Sequence, residues 1–423
     1  MPVVSRFTRE IVERIDEGVA YDDMFYLVCE RARELVQKPG ITMTRVERAF
    51  ENDEEFAQLR VLFHTIPRVV LRMLALRTLP YELSNRESAK WGDVYSPDGP
   101  AACVIALSIQ GRHGRGLTGK ECGRLRGHLD TYAFACSTWG AKHLETDYGQ
   151  SQLTPAEENA LTIAMHIDNQ YRETEKEWSD GDPFEKPRFC DSPATSAANI
   201  RLFCAVLARR AAREPDGDTP QESCPTYVSC TAKDLGGRTT RHTPDASSLG
   251  DTSPVWGLFV SAIAYIDLRP LVTRIPIIKC WDEPLVPLAE ILVTVIGCSM
   301  ATDDGLNIIQ PGTSGRGTPY KNRDAFDACK REVYVFRPFF KENLRASLAA
   351  REAFAGLVDR MRANAKKIDG LLERERQLAA DVDEAMAKAD KAADRAEEVN
   401  KRGRALADRL REILDRTKGM FPE

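Results

Sequence analysis

The chain has no C-x-x-C pair, no N-x-[ST] acceptor, few histidines and no apolar run long enough to cross a bilayer. Each absence closes a class of function. Eleven cysteines run from Cys29 to Cys329, but the closest pair, Cys224 and Cys230, lacks a His/Cys set at zinc-site spacing, so no metal site is assigned. The first residues lack the apolar core of a signal peptide. A reducing, cytoplasmic interior with free thiols is the expected setting. The most apolar stretches, residues 255–266 and 285–298, are short and interrupted or closed by Asp267, Pro287 and Glu290, so no membrane partner is expected. The six histidines, at 64, 113, 128, 143, 166 and 242, form no H-E-x-x-H, and there is no G-x-S-x-G elbow. His166 sits in an apolar helical run and reads as a core or boundary residue. No catalytic residue and no cofactor is assigned, and the chain reads more as a non-enzyme than as an enzyme.

What is present is an ordinary globular composition, 43% hydrophobic and 29% charged over 423 residues, enough for two or three structural units. Residues 343–423 hold 18 Lys+Arg against 16 Asp+Glu, leaving 41 against 48 elsewhere. The larger part is therefore net acidic, and a polyanion would need local basic patches.

Apolar spacing of three and four predicts helices over 6–17, 23–37, 42–51 and 54–79, the last kinked at Pro67. Residues 101–109 (AACVIALSI), bounded by Pro and Gly, read as a buried strand, followed by a glycine-rich basic stretch and a helix to about Leu144. Thr154-Pro155-Ala156-Glu157 is a helix start with a cap, a first-turn proline and a carboxylate reaching back. One more helix is expected over 195–213. The fold class is thus mainly α: a helix-rich bilobed body with a few short strands and a long C-terminal coiled-coil-like helix. Its expected parts are an N-terminal lobe at 1–210, a Gly/Pro/Ser/Thr-rich linker at 211–254, a second apolar lobe at 255–340 and the helix at 341–418.

No proline lies between Pro338 and Pro422. Ala365, Ile368, Leu372, Glu375, Ala379, Val382, Met386, Ala389, Ala393 and Ala396 form a heptad seam, which slips near Val399 and resumes at Gly403, Leu406, Leu410 and Ile413. A second row at Leu371, Leu378, Ala385 and Ala392 widens the apolar face, favouring a multi-helix bundle or docking on the body over a two-stranded rod. Self-association is assigned to Ile368, Leu371, Leu372, Leu378, Val382, Met386, Leu406, Leu410 and Ile413.

The stretch Gly114-Arg115-Gly116-Leu117-Thr118-Gly119-Lys120 resembles a phosphate-binding P-loop, but the magnesium-ligand position holds Glu121. A strand over 259–267 ending in Asp267 is its candidate acidic partner. The same region also reads as a phosphate track. Arg112, Arg115, Lys120, Arg124 and Arg126, with His113 and His128, lie in 17 residues containing one acid. Two further Gly/Arg loops carry Arg238 with Arg241, and Arg316 with Lys321 and Arg323. Converging, these loops would hold single-stranded nucleic acid, with Tyr320 or Trp139 as stacking surfaces. Taken one at a time, they are ordinary loops with solvated arginines.

In organisation alone, without a shared residue motif, this resembles viral nucleoproteins and coat proteins. The expectation is a non-enzymatic oligomeric assembly protein that associates with nucleic acid. A P-loop-like nucleotide-binding enzyme and a cytosolic coiled-coil adaptor are the alternatives.

Overall fold

The computed structural model describes residues 5–85, 87–142, 144, 152–172, 183–213, 216–231, 244, 249–250, 253–313 and 323–418. Five helices come first: α1 (Arg6–Asp16), α2 (Tyr21–Val36), α3 (Thr44–Glu51), α4 (Asp53–Thr65) and α5 (Arg68–Leu76), followed by the single turn α6 (Leu79–Glu82). Pro67 divides α4 from α5, as its missing N–H and fixed φ require. Strand β1 (Ala101–Ile109) leads to α7 (Gly119–Lys142), α8 (Pro155–Asn169) and α9 (Pro193–Ala211). After these come β2 (Thr226–Thr231), α10 (Pro254–Tyr265), β3 (Pro270–Lys279), α11 (Leu285–Ile296), α12 (Arg323–Arg331), a π-turn at Glu332–Phe336 and α13 (Phe339–Lys418). The protein is mainly helical.

The three strands form one antiparallel sheet in the order β2-β1-β3, with Ala101 opposite Thr231 on one side and Lys279 on the other. Every residue of β1 is buried. Helices cover both faces of this central strand, which is why its sequence is a continuous apolar run without polar alternation. Ala102, Val104 and Ala106 face a core built with α1–α5 and α11, whereas Ile105, Leu107 and Ile109 face one built with α7–α10. Each core thus draws on residues from both before and after 211–254.

The expected strand over 259–267 is instead α10. Ser253 accepts from Trp256 N at 3.3 Å, Pro254 opens the first turn, and twelve residues continue as helix. His166, expected in or beside the core, is exposed on α8. The Thr154–Glu157 capping box is formed in full. All eleven cysteines are buried and unbridged.

The chain divides into two units, Met1–Leu348 and Ala349–Glu423. The first turns of α13 belong to the first unit. Asn343 Nδ2 donates to the carbonyls of His64 and Ile66 at 2.9 and 3.1 Å. Ser347 Oγ accepts from Asp22 N at 3.3 Å and lies 3.0 Å from His64 Nε2. His64 Nδ1 is 2.8 Å from the Arg60 carbonyl, which can only accept, so the neutral ring carries its proton on Nδ1 and takes one from Ser347 at Nε2. Burial holds the His64 pKa below its ordinary value, against the pull of the Arg60 carbonyl and Asp22. In the second unit, α13 continues as helix through Gly356, Gly370 and Gly403, and no atom crowds the α-carbon of any of them. Eighty residues at about 1.5 Å each give a helix on the order of 120 Å long.

Candidate functional site

The basic stretch after β1 begins with a tight turn in which Arg112 N donates to Ile109 O, Arg115 N to Arg112 O, and Ile109 N to Arg115 O. His113 sits at φ 49°, and Gly114 at φ 78° packs so closely on Pro80 that a β-carbon would lie 2.1 Å from its carbonyl oxygen. Glycine is therefore demanded here by close approach of two backbone segments. Gly116 N donates to Gln221 O at 2.8 Å, and Lys120 N to Gly217 O at 2.9 Å. Thr118 N donates to Glu121 Oε2 at 2.8 Å while Glu121 N donates to Thr118 Oγ1 at 3.2 Å, a capping box that starts α7. A P-loop keeps such N–H groups for phosphate; here they already have acceptors within the chain. Glu121 is the helix cap, and a bidentate pair with Arg112 at 2.7 and 2.8 Å holds it. Burial raises the Glu121 pKa, but the Arg112 and Thr118 hydrogen bonds outweigh it and keep the carboxyl below its ordinary value.

Next to this turn is a buried ionic cluster assembled from four segments. Asp304 receives Arg210 Nη2 and Arg213 Nη2 at 2.8 Å each, and Arg77 Nε lies 3.2 Å away. Arg210 is 1% exposed and also donates to Ser223 O at 2.7 Å. The neighbouring Asp303 takes Arg31 at 2.5 Å and Lys38. Burial raises the Asp304 pKa, yet Arg210, Arg77 and Arg213 together drive it well below the usual carboxylate range. Burial lowers the Arg210 pKa, Asp304 opposes this, and Arg213 and Arg77 lower it further. Three guanidinium groups thus share one carboxylate.

The turn and the cluster meet at a cleft of about 710 Å³ lined by Arg72, Arg77, Arg112, His113, Arg115 and Arg213, together with Thr78 and residues 219–223. Glu82 and Glu222 are the acids on its wall. Arg115 lies over the Tyr81 ring at 4.6 Å and reaches Glu222 at 3.2 Å, and Arg72 pairs with Asp16 at 2.9 Å. A second, wider depression of about 940 Å³ shares His113 and runs along Leu271, Val272 and Arg274 of β3.

Of the residues expected to touch nucleic acid, Arg112 and Arg115 line the cleft. Lys120 pairs with Asp218 at 2.6 Å, Arg126 with Asp130 at 3.5 Å, and Arg124 is exposed on α7. Arg323 is exposed at the start of α12. Arg238, Arg241, Arg316, Lys321 and Tyr320 lie outside the described residues. Trp139, expected as a stacking surface, is only 6% exposed and belongs to the core beside α7. The sequence reading missed Arg77, Arg210, Arg213 and Asp304. The basic end of α9 and the Asp303-Asp304 pair were visible signals, but only the fold brings them together. Thr118-x-x-Glu121 was also a legible capping signature.

On α13, Ile368, Leu371, Leu372, Leu378, Val382, Met386, Leu406, Leu410 and Ile413 are between 46% and 65% exposed. Such apolar rows can bury themselves only against another surface. Among the described residues, no helix is long and apolar enough to cross a membrane, and no group of three His, Cys, Asp or Glu is placed to hold a metal ion. No protein-family model, no curated protein and no solved structure matches the chain.

Proposed function

We propose that this chain is an assembly protein whose copies associate through α13. The observation that carries the reading is the double apolar row left exposed along residues 349–418. Full burial of each large apolar side chain stabilises by about 1.5–3 kcal/mol. About half of that surface is still exposed on each of the nine, so together they offer roughly 7–15 kcal/mol per helix, comparable with the roughly 4–15 kcal/mol that association costs. The near balance of 18 basic and 16 acidic residues in 343–423 lets two copies approach without strong repulsion. Three apolar positions per heptad favour a bundle of more than two helices. The test is the mass in solution of the full chain, the Leu371→Glu, Leu378→Glu double variant and a chain ending at Leu348, the last residue of the first unit. The expected result is an oligomer for the first and monomers for the other two; equal masses would sink the assembly role.

A second reading, association with single-stranded nucleic acid, is supported by the exposed Arg124 and Arg126 on α7 and by the arginine-lined cleft at the turn that precedes that helix. Binding of single-stranded RNA is expected to weaken with salt. Changing Arg124 and Arg126 to Ala is expected to reduce the salt slope by about two. RNA binding that is indifferent to salt argues against it.

A further inference from the structure

We propose that the cleft between α5, the β1–α7 turn and residues 219–223 is a seat for a phosphate group, held by Arg77 and Arg213. The first reason is charge. Among the described residues, Arg77, Arg210 and Arg213 gather around Asp304 alone, and the adjacent Asp303 is engaged by Arg31 and Lys38. The cluster therefore carries two positive charges more than Asp304 balances. Charge left unbalanced away from water is costly, and an anion in the cleft offsets it.

The second reason is unfilled bonding capacity at the cleft wall. Arg77, 5% exposed, is the last residue of α5's cap, in the left-handed conformation (φ 60°, ψ 30°) that helices usually give to glycine. Its Nε is within ion-pair distance of Asp304 but off the line of a hydrogen bond, and among the described residues neither this N–H nor the buried Thr78 hydroxyl has a hydrogen-bond partner. An arginine held in a strained backbone state, lining the cleft and only partly bonded to Asp304, has guanidinium bonding capacity left for an anion there.

The third reason is the rim. Arg72 and Arg115 enter the same cleft, and their acids Asp16 and Glu222 are 53% and 52% exposed. Exposed pairs of this kind hold by about 0–1 kcal/mol, so an incoming anion can replace either acid. A phosphate matches the set best. It only accepts, it carries up to two charges, and its oxygens meet guanidinium groups arriving from several directions. The cleft's volume admits a nucleotide as well as a bare phosphate. The seat does not depend on α13 or on assembly.

The experiment is calorimetric titration of the full chain with inorganic phosphate, ionic strength held with chloride. Saturable binding is expected, weakened about tenfold in Arg213→Gln and unchanged in Arg48→Gln, an exposed arginine of α3 that does not line the cleft. If Arg213→Gln does not fold, Arg115→Gln at the exposed rim takes its place, with the same direction expected. Two further titrations separate the sources. Adenosine diphosphate binding more tightly than a single-stranded oligonucleotide supports the seat with a free nucleotide as ligand, and the reverse order supports it with a nucleic-acid backbone. Phosphate binding no better than chloride, or equally well after loss of Arg213 or Arg115, overturns the proposal.

Discussion

The two units use the same apolar residue types to opposite ends. In Met1–Leu348, leucine, isoleucine, valine and phenylalanine fill two cores on either side of β1, whereas in Ala349–Glu423 leucine, isoleucine, valine and methionine stand exposed in rows. Charge differs in the same way. The first unit buries ionic groups, as at Asp304, while ion pairs on α13 such as Arg402 with Glu398 lie at the surface between residues one turn apart. The contrast teaches that periodicity reports a helix and its apolar face, but only the number of surrounding elements decides whether that face is closed within the chain.

The largest expected effect in the first unit is at Asp304. Asp304→Ala leaves three buried guanidinium groups facing one another and should cost about 3–5 kcal/mol in denaturant unfolding; a loss below about 1 kcal/mol would mean the cluster is wetter than described. Its pH dependence follows from the sign of the shift. The folded-state pKa is depressed, so the stabilisation is present above the ordinary carboxylate value and shrinks progressively as pH falls from about 4 towards the depressed value, the gap between wild type and Asp304→Asn narrowing over that range. Asp168 works the other way. Burial raises its pKa to about 7 against the hydrogen bonds from Arg188 N and the Tyr132 hydroxyl, so its contribution is fully present below about pH 4 and is lost as pH rises towards 7.

Next in size is Tyr132→Phe. The hydroxyl donates to Asp168 at 2.7 Å and accepts from Phe189 N at 2.9 Å, and its removal should cost about 1–3 kcal/mol by thermal melting. A neutral result would break the picture of a tightly closed second core. In the other unit, the Leu371→Glu, Leu378→Glu double variant should leave the melting of the first unit within about 0.5 kcal/mol of wild type while removing any helix signal that depends on protein concentration. A large shift of the first unit's melting would erase the contrast. The smallest effect is expected at Arg402→Ala, about 0.5 kcal/mol or less in helix content by circular dichroism.

Much of the fold could be read from local pattern, because its signals are local. Pro67 breaks a helix by its own chemistry, Thr154 and Glu157 cap one across three residues, and nine residues between Pro and Gly, all apolar but Ser108, make β1. The other two strands were hidden. β2 lies in a segment rich in proline and serine, and β3 starts at Pro270 and contains Pro276, so neither carries a clean alternation. α10 was read as a strand because its residues are buried on every side, which removes the helical period. The candidate site was legible only at its rim. Arg112 and Arg115 stand out in a glycine-rich stretch, but Arg77, Arg210, Arg213 and Asp304 come from points separated by up to 227 residues in the numbering, and no spacing rule connects them.

The eleven buried thiols have a practical consequence. A thiol-modifying reagent added to the native protein meets no exposed cysteine, so labelling waits for the chain to open. Because the cysteines lie in both cores, from Cys29 on α2 to Cys204 on α9, and none lies beyond Cys329, the order in which they react records which side of the sheet opens first. α13 contributes nothing to that signal. The protein thus carries a built-in clock for its first unit that the second, free of cysteine, cannot confuse.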